Sequence, residues 1–268
     1  MCARHDGREI GAELTELKEE IYMNIAIDGP AGAGKSTIAR MVAKSTDSIY
    51  VDTGAMYRAM ALYMLKKGID GSDRKAVEEA CADADISIEY RDGAQRVILN
   101  GEDVTDQLRE ERVGNMASLT SVYGKVREKL VSLQQALAKK TNVVMDGRDI
   151  GTVVLPNAEV KIYLTASPHT RAIRRFRELE QKKVSEGEEP LSPTLAALDI
   201  NRIEKDIRER DYRDSHREIS PLKQASDAVL IDSSDLTIDE VVVRILDIVD
   251  ARNRQIRDKH ITYSDVQN

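Results

Sequence analysis

Tryptophan is absent from the sequence, phenylalanine occurs once, cysteine twice and histidine four times. Cys2 and Cys81 form no CxxC and have no histidine pair beside them, which argues against a zinc site or a disulfide framework. Unpaired thiols in a reducing compartment are expected. No apolar run approaches the ~18 residues of a membrane span, and the opening stretch "MCARHDGREIGAELTELKEEIY" lacks the apolar centre of a signal peptide. A cytoplasmic protein without a membrane partner is the expectation. The net charge of −7 argues against a nucleic-acid coat protein, which needs a broad basic surface. His5, His169, His216 and His260 have no triad-like company, so no covalent nucleophile is expected. There is no internal repeat and no low-complexity tract.

Apolar runs and helical patterns alternate in the rest of the chain. Strands are predicted at 24–28, 48–52, 141–149, 159–166 and 228–234, and helices at 35–44, 54–66 and from Asp239 to about Asp250. The run within 141–149 is continuously apolar, the mark of a strand buried on both faces. An α/β fold with a parallel sheet covered on both sides follows. Two segments break the rhythm. From Ala84 to Val104 the period is two, with turns at "RDGAQ" and "NGED", which predicts an antiparallel insert spanning about 79–120. Residues 167–217 are rich in arginine and glutamate and are interrupted by "VSEGEEPLSP", which predicts two helices joined by an exposed loop. Residues 1–22 read as an extension, with a short helix through Leu14, Leu17 and Ile21, and the tail 251–268 as helix fading into disorder.

Residues 24–40, "NIAIDGPAGAGKSTIAR", carry the first chemistry. Gly29, Pro30, Ala31, Gly32, Ala33, Gly34, Lys35 and Ser36 match G-x-x-x-x-G-K-S/T, followed by Thr37, with a strand before and a helix after. Such a turn aims successive backbone N–H groups at an anion above a helix N-terminus. The ligand is expected to be ATP, with Lys35 on its β- and γ-phosphates and Ser36 on Mg²⁺. Asp146 ends the apolar run 143–146 and is favoured as the second metal-site residue, acting through water. Asp28 also ends a buried strand and is the rival.

Arginines supply the second feature. Arg58 lies one turn inside the helix that starts after "VD", with Asp52 or Thr53 as its N-cap. Arg148 and Asp149 follow a buried strand, where doubly wound sheets bind ligands. Arg210, Asp214 and Arg217 share a helical face, as do Arg171, Arg174 and Arg175. A solvated face laced with Glu–Arg pairs explains Arg177, Glu178 and Glu180. Residues 210–217 instead suit a phosphate clamp, since phosphoryl transfer needs several cations around a charge-spread transition state.

Together, "IAIDGPAGAGKST", "VDTGAMYR", "NGEDVTDQLR", "NMAS", "KVREKL", "DGRDIGTVVLPNAEVKIYL", "RERDYRDSHREISPL" and "VLIDSS" resemble, in order, the bacterial cytidylate kinases of the P-loop nucleoside monophosphate kinase group. The resemblance covers about 24–248. It implies a three-layer α/β/α P-loop domain over 23–250, with core segments 23–78, 121–166 and 218–250, a nucleotide-binding insert and a helical lid. It also implies transfer of the ATP γ-phosphoryl group to CMP or dCMP. By the same resemblance Arg58, Arg148 and Arg217 hold the acceptor phosphate, with Thr53 beside them. Ser118, Arg127 and Asp149 read cytosine, and Arg210 and Asp214 hold the sugar. Lys35, Arg148, Arg217 and the lid residue Arg174 form the catalytic set. Gly124 stands where many relatives carry proline, and the loop in 184–205 is longer than expected for the family.

The base-reading residues make sense chemically. Asp149 accepts from the exocyclic amine of cytosine while Arg127 donates to its ring nitrogen and carbonyl. Uracil would turn a carbonyl toward the carboxylate. A kinase for UMP or another small acceptor remains open from sequence, as does a nucleotide-dependent switch. A switch needs no second polyanion site. The expected partners are small molecules only, and the expected state is a monomer.

Overall fold

The computed structural model describes residues 22–265 except 92, 186, 188 and 190. The helix expected through Leu14, Leu17 and Ile21 lies outside the described residues. Strand β1 (Asn24–Asp28) and helix α1 (Lys35–Ser45) flank the glycine-rich turn, and β2 (Ile49–Asp52) leads into α2 (Thr53–Lys66). Helix α3 (Arg74–Ala80) precedes three short strands, β3 (Ile86–Arg91), β4 (Ala94–Leu99) and β5 (Glu102–Asp103). Helices α4 (Glu111–Thr120) and α5 (Gly124–Ala138) return the chain to β6 (Val143–Gly147). A π-helical turn, Ile150–Val154, separates β6 from β7 (Val160–Thr165). Helices α6 (Pro168–Ser185) and α7 (Pro193–His216) pack on each other, and β8 (Val229–Asp232) and α8 (Ile238–Asp265) follow.

The main sheet has the order β2-β6-β1-β7-β8, and every pairing in it is parallel. Its strands divide their side chains between two cores with the period-two alternation of a pleated strand. Ile25, Ile27 and Val144 face α1 and α8, meeting Ile38, Val42, Val241 and Ile245. Ala26, Val51, Val143 and Met145 face the other way, toward Met56 and Met60 of α2 and Leu130 of α5. This is a three-layer α/β/α fold. The strands β3-β4-β5 form a separate antiparallel sheet, yet its buried Ile86, Val97 and Leu99 belong to the same apolar cluster as Met60 and Met64.

Local chemistry sets the ends of these elements. Asp52, not Thr53, caps α2: its side chain accepts the Ala55 N–H at 2.9 Å. Helix α7 opens on Pro193 behind a Ser192 cap. The last helix departs from expectation, because α8 runs to Asp265 where a fraying end was expected soon after Ala251. The stretch "RNRQIRDKHITY" contains neither glycine nor proline and is rich in good helix formers, so nothing in it stops the ladder.

The phosphate-loop turn begins by pressing on a neighbouring strand. Gly29 has φ +148°, and a Cβ there would stand 1.9 Å from the carbonyl oxygen of Leu164 on β7. Only glycine fits. Gly29→Ala is expected to cost ~3 kcal/mol and to lower the thermal midpoint by roughly 6–12 °C, measured by circular dichroism. An unchanged midpoint would show that the loop can lift away from β7 freely.

Candidate active site

The C-terminal ends of β1, β2 and β6 meet at one edge of the sheet, in register Asp28↔Gly147 and Asp52↔Asp146. Each strand there gives way to a loop or helix that carries functional side chains. Gly34 precedes α1 in the left-handed region at φ +88°, and no side chain caps that helix. The first amides of α1 are thus left for a ligand.

Lys35 is buried and its Nζ donates to the Pro30 carbonyl at 2.8 Å, folding the side chain back over the loop. Burial, then the neighbouring Arg148 guanidinium, pushes the ammonium down to about 7, against the pull of Asp146 and Asp28. An anion in the cradle reverses that balance. Ser36 Oγ lies 2.9 Å from Asp146 Oδ2, and Tyr50 donates its hydroxyl to Asp146 Oδ1 at 2.9 Å. Burial and nearby Asp52 raise the Asp146 carboxyl above the ordinary carboxylate range, opposed by Lys35, Tyr50 and Ser36. A hydroxyl beside a single carboxylate could hold a hard divalent cation such as Mg²⁺.

Asp28 has a different task. Its two oxygens accept the backbone N–H groups of Ile150 and Gly151, each at 2.7 Å, so it caps the turn that carries Asp149. Thr53 is buried, with its hydroxyl donating to the Asp146 carbonyl at 2.7 Å.

Around this edge the structure gathers cations from distant parts of the chain. Arg148 Nε donates to Asp214 Oδ2 at 3.0 Å, joining the strand end to α7. Arg210 lies within electrostatic reach of Arg148, Asp214 and Arg58. Arg217 closes α7, donates Nε to the Ser220 carbonyl, and places Nη2 3.7 Å from Asp149 Oδ1. That Nη2 is buried without a hydrogen-bond partner. Burial, then the nearby Arg127, lowers the pKa of Arg217. Arg127 and Asp149 form a buried ion pair, and Arg127 also donates to the Ser121 carbonyl at 3.3 Å. Ser118 sits half-buried on α4, one turn before Ser121. Among the described residues no hydrogen bond joins its side chain to the Arg127–Asp149 pair.

The lid arginines separate. Arg171 forks onto Asp211 and donates to the Ala31 carbonyl of the phosphate loop at 3.0 Å. Arg174, expected among the catalytic cations, is instead turned to the end of β8, where it donates to the Ser233 hydroxyl and carbonyl at 3.2 and 2.6 Å. Arg175 pairs with Glu178 on the surface. Shared helical periodicity put the three on one face, but α6 lies across both the loop and β8, so that face meets different neighbours. Sequence reasoning also missed Tyr57. Its ring lies 5.6 Å from the Arg127 guanidinium carbon, and its buried hydroxyl has no hydrogen-bond partner. Its only signal was its place next to Arg58.

Lys35 of the glycine turn, Arg148, Arg217 and the buried Arg127–Asp149 pair thus lie near one another at this edge. The family model for cytidylate kinase matches residues 25–251. The chain belongs to the cytidylate kinase family. A cytidylate kinase of Bacillus licheniformis is 50% identical over 232 residues, covering 85% of this chain and 96% of the relative. One from Caldicellulosiruptor bescii is 49% identical over 226 residues, covering 84% and 95%. One from Lactobacillus johnsonii is 46% identical over 232 residues, covering 87% and 96%. As a cytidylate kinase family member the protein is an enzyme of phosphoryl transfer.

Asp28 offers a test of how the kinase holds its strand-end turn. Burial pushes its carboxyl up to about 6 from an ordinary 3.8, partly offset by the two amides it accepts. Between those values the folded chain holds a proton that the unfolded chain has lost, so this contribution to stability falls as pH rises from about 4 to 6. The gap is worth ~3 kcal/mol. Asp28→Asn should therefore gain on the wild type by up to ~3 kcal/mol when urea unfolding at pH 6.5 is compared with pH 4. A constant difference between the two proteins across that range would contradict the raised value.

Proposed function

We propose that the protein transfers the γ-phosphoryl group of ATP to CMP or dCMP, giving ADP and CDP or dCDP, by direct in-line attack of an acceptor phosphate oxygen. The reading is carried by the buried Arg127–Asp149 pair lying beside Arg217, next to the cations that face the phosphate loop. A triphosphate site alone would serve many NTPases. A second anion site with a donor–acceptor pair matched to cytosine is what a kinase for that base needs.

The roles follow from charge and reach. Backbone amides of residues 29–37 cradle the triphosphate, and Lys35 swings from the Pro30 carbonyl to the β- and γ-phosphates. Ser36, with Asp146 acting through water, would hold Mg²⁺, which when bound would supply positive charge to the phosphates. Arg58, Arg148 and Arg217 hold the acceptor phosphate, with Thr53 shaping the floor beneath it. Arg210 and Asp214 take the sugar. Arg127, Asp149 and Ser118 read the base, so the pair that now satisfies itself opens to the amine and ring acceptors of cytosine. Asp149 would face a carbonyl of uracil, and that mismatch sets the preference.

Nothing in this scheme forms a covalent enzyme intermediate. Rate comes from positioning and from preorganised positive charge. An open site would let water take the phosphoryl group, so residues 167–217 are proposed to close over the triphosphate as a lid. Arg174 would have to leave Ser233 to join the transferring group, whereas Arg171 already touches the loop. Residues 79–120 are proposed to shape the acceptor pocket.

ADP release from ATP and Mg²⁺ is expected to be strongly stimulated by CMP and dCMP, weakly by UMP and hardly by AMP. Equal stimulation by UMP would exclude the base-reading scheme. Lys35→Ala should lower kcat by at least ~10²-fold. Asp149→Ala and Arg127→Ala should raise KM for CMP by ~10–100-fold, the value of a lost charged hydrogen bond, and narrow the gap to UMP. Melting curves on both variants separate that effect from unfolding, since each leaves a buried charge unpaired.

A further inference from the structure

The Asp146 carboxylate is held from both sides. Ser36 Oγ stands at 2.9 Å from Oδ2, and the Tyr50 hydroxyl donates to Oδ1, also at 2.9 Å. Tyr50 is paired with Val144 on the neighbouring strand, two residues before Asp146 in register, so its side chain reaches forward along the same face of the sheet. The Arg40 guanidinium carbon lies 5.2 Å from the Tyr50 ring centroid. Arg40 is one helical turn beyond Ser36 on α1, so one face of that helix supports both partners of the carboxylate. The Tyr50 carbonyl in turn accepts the Tyr90 hydroxyl from β3 at 2.9 Å, which fixes the strand that carries the ring.

We propose that Tyr50 is a positioning residue for the divalent cation. It locks the Asp146 carboxylate so that Oδ2 is presented toward Ser36, where the metal hydration shell must be received. The torsion that turns a carboxylate is soft, with broad minima. A donor on Oδ1 gives that torsion one setting and keeps the other oxygen turned toward Ser36. Removing the hydroxyl leaves a buried oxygen without its donor and lets the group rotate away. Partners of this kind are worth 10–100-fold in metal affinity in other proteins. This inference rests on the reading of Ser36 and Asp146 as the metal pair and adds to it the residue that orients them.

The test is the Mg²⁺ dependence of ADP binding, followed by calorimetry on the intact protein with no turnover. Tyr50→Phe keeps the ring and removes only the donor. The Mg²⁺ concentration that half-saturates the metal-dependent gain in ADP affinity should rise ~10–30-fold, while ADP affinity in EDTA stays at the wild-type value. Tyr90→Phe, which loosens β2 but spares the Tyr50 hydroxyl, should leave the Mg²⁺ dependence unchanged. Asp146→Asn should shift it at least as far as Tyr50→Phe. A wild-type Mg²⁺ response in Tyr50→Phe together with a shifted one in Asp146→Asn overturns the role of Tyr50 alone. A wild-type response in Asp146→Asn overturns the metal pair itself. An equal shift in Tyr90→Phe, or a fall in ADP affinity in EDTA for Tyr50→Phe, would show that strand placement is responsible and would also overturn the proposal.

Discussion

At one edge of the sheet Arg148 and Arg210 disfavour the charge on Lys35, and Arg148 and Arg58 disfavour the charge on Arg210. Such a cluster is costly to assemble in the ligand-free protein. Asp214, Asp146 and Asp28 relieve part of the repulsion, and the rest is left for an anion to neutralise. The depressed ammonium of Lys35 is the clearest sign of that unmet demand. Much of the surrounding architecture serves to hold these groups together: a loop pressed onto β7, a helix ending at Arg217, and a strand end tied to α7 through Arg148 and Asp214.

The Arg127–Asp149 pair works by the opposite device. Arg127 and Asp149 neutralise each other and are almost sealed from water. A buried pair of this kind contributes little to stability beyond what an apolar pair would give, but it is directional. Asp28 fixes the turn beneath Asp149 through the amides of Ile150 and Gly151. Arg127 and Asp149 therefore sit on a fixed floor, although they come from α5 and from the end of β6.

Much of this was legible in the sequence because it rests on local periodicity. Continuous apolar runs revealed strands buried on both faces, and the glycine spacing followed by Lys35 and Ser36 picked out the turn proposed to hold the anion. The antiparallel insert was visible in its period-two pattern. What escaped depends on how elements lie against each other. Arg171 and Arg174 are equivalent by helical spacing, and only the path of α6 sends one to the loop and the other to Ser233. Tyr50 reads as an ordinary strand residue until β2 is laid beside β6. Asp28 and Asp146 both end buried strands, and their different tasks come from what the next turn presents to each. The tail beyond Ala251 was expected to be helix fading into disorder, and α8 instead runs to Asp265.

The β2 strand lies at the outer margin of the parallel sheet, with its far side available for pairing. Tyr90 and Gln95 of the antiparallel hairpin reach across to the Tyr50 carbonyl and to both main-chain groups of Asp52. The hairpin thereby blocks with side chains a margin that a foreign strand could otherwise extend. Loss of the hairpin would thus threaten solubility as well as chemistry, by uncovering a template for intermolecular sheet growth.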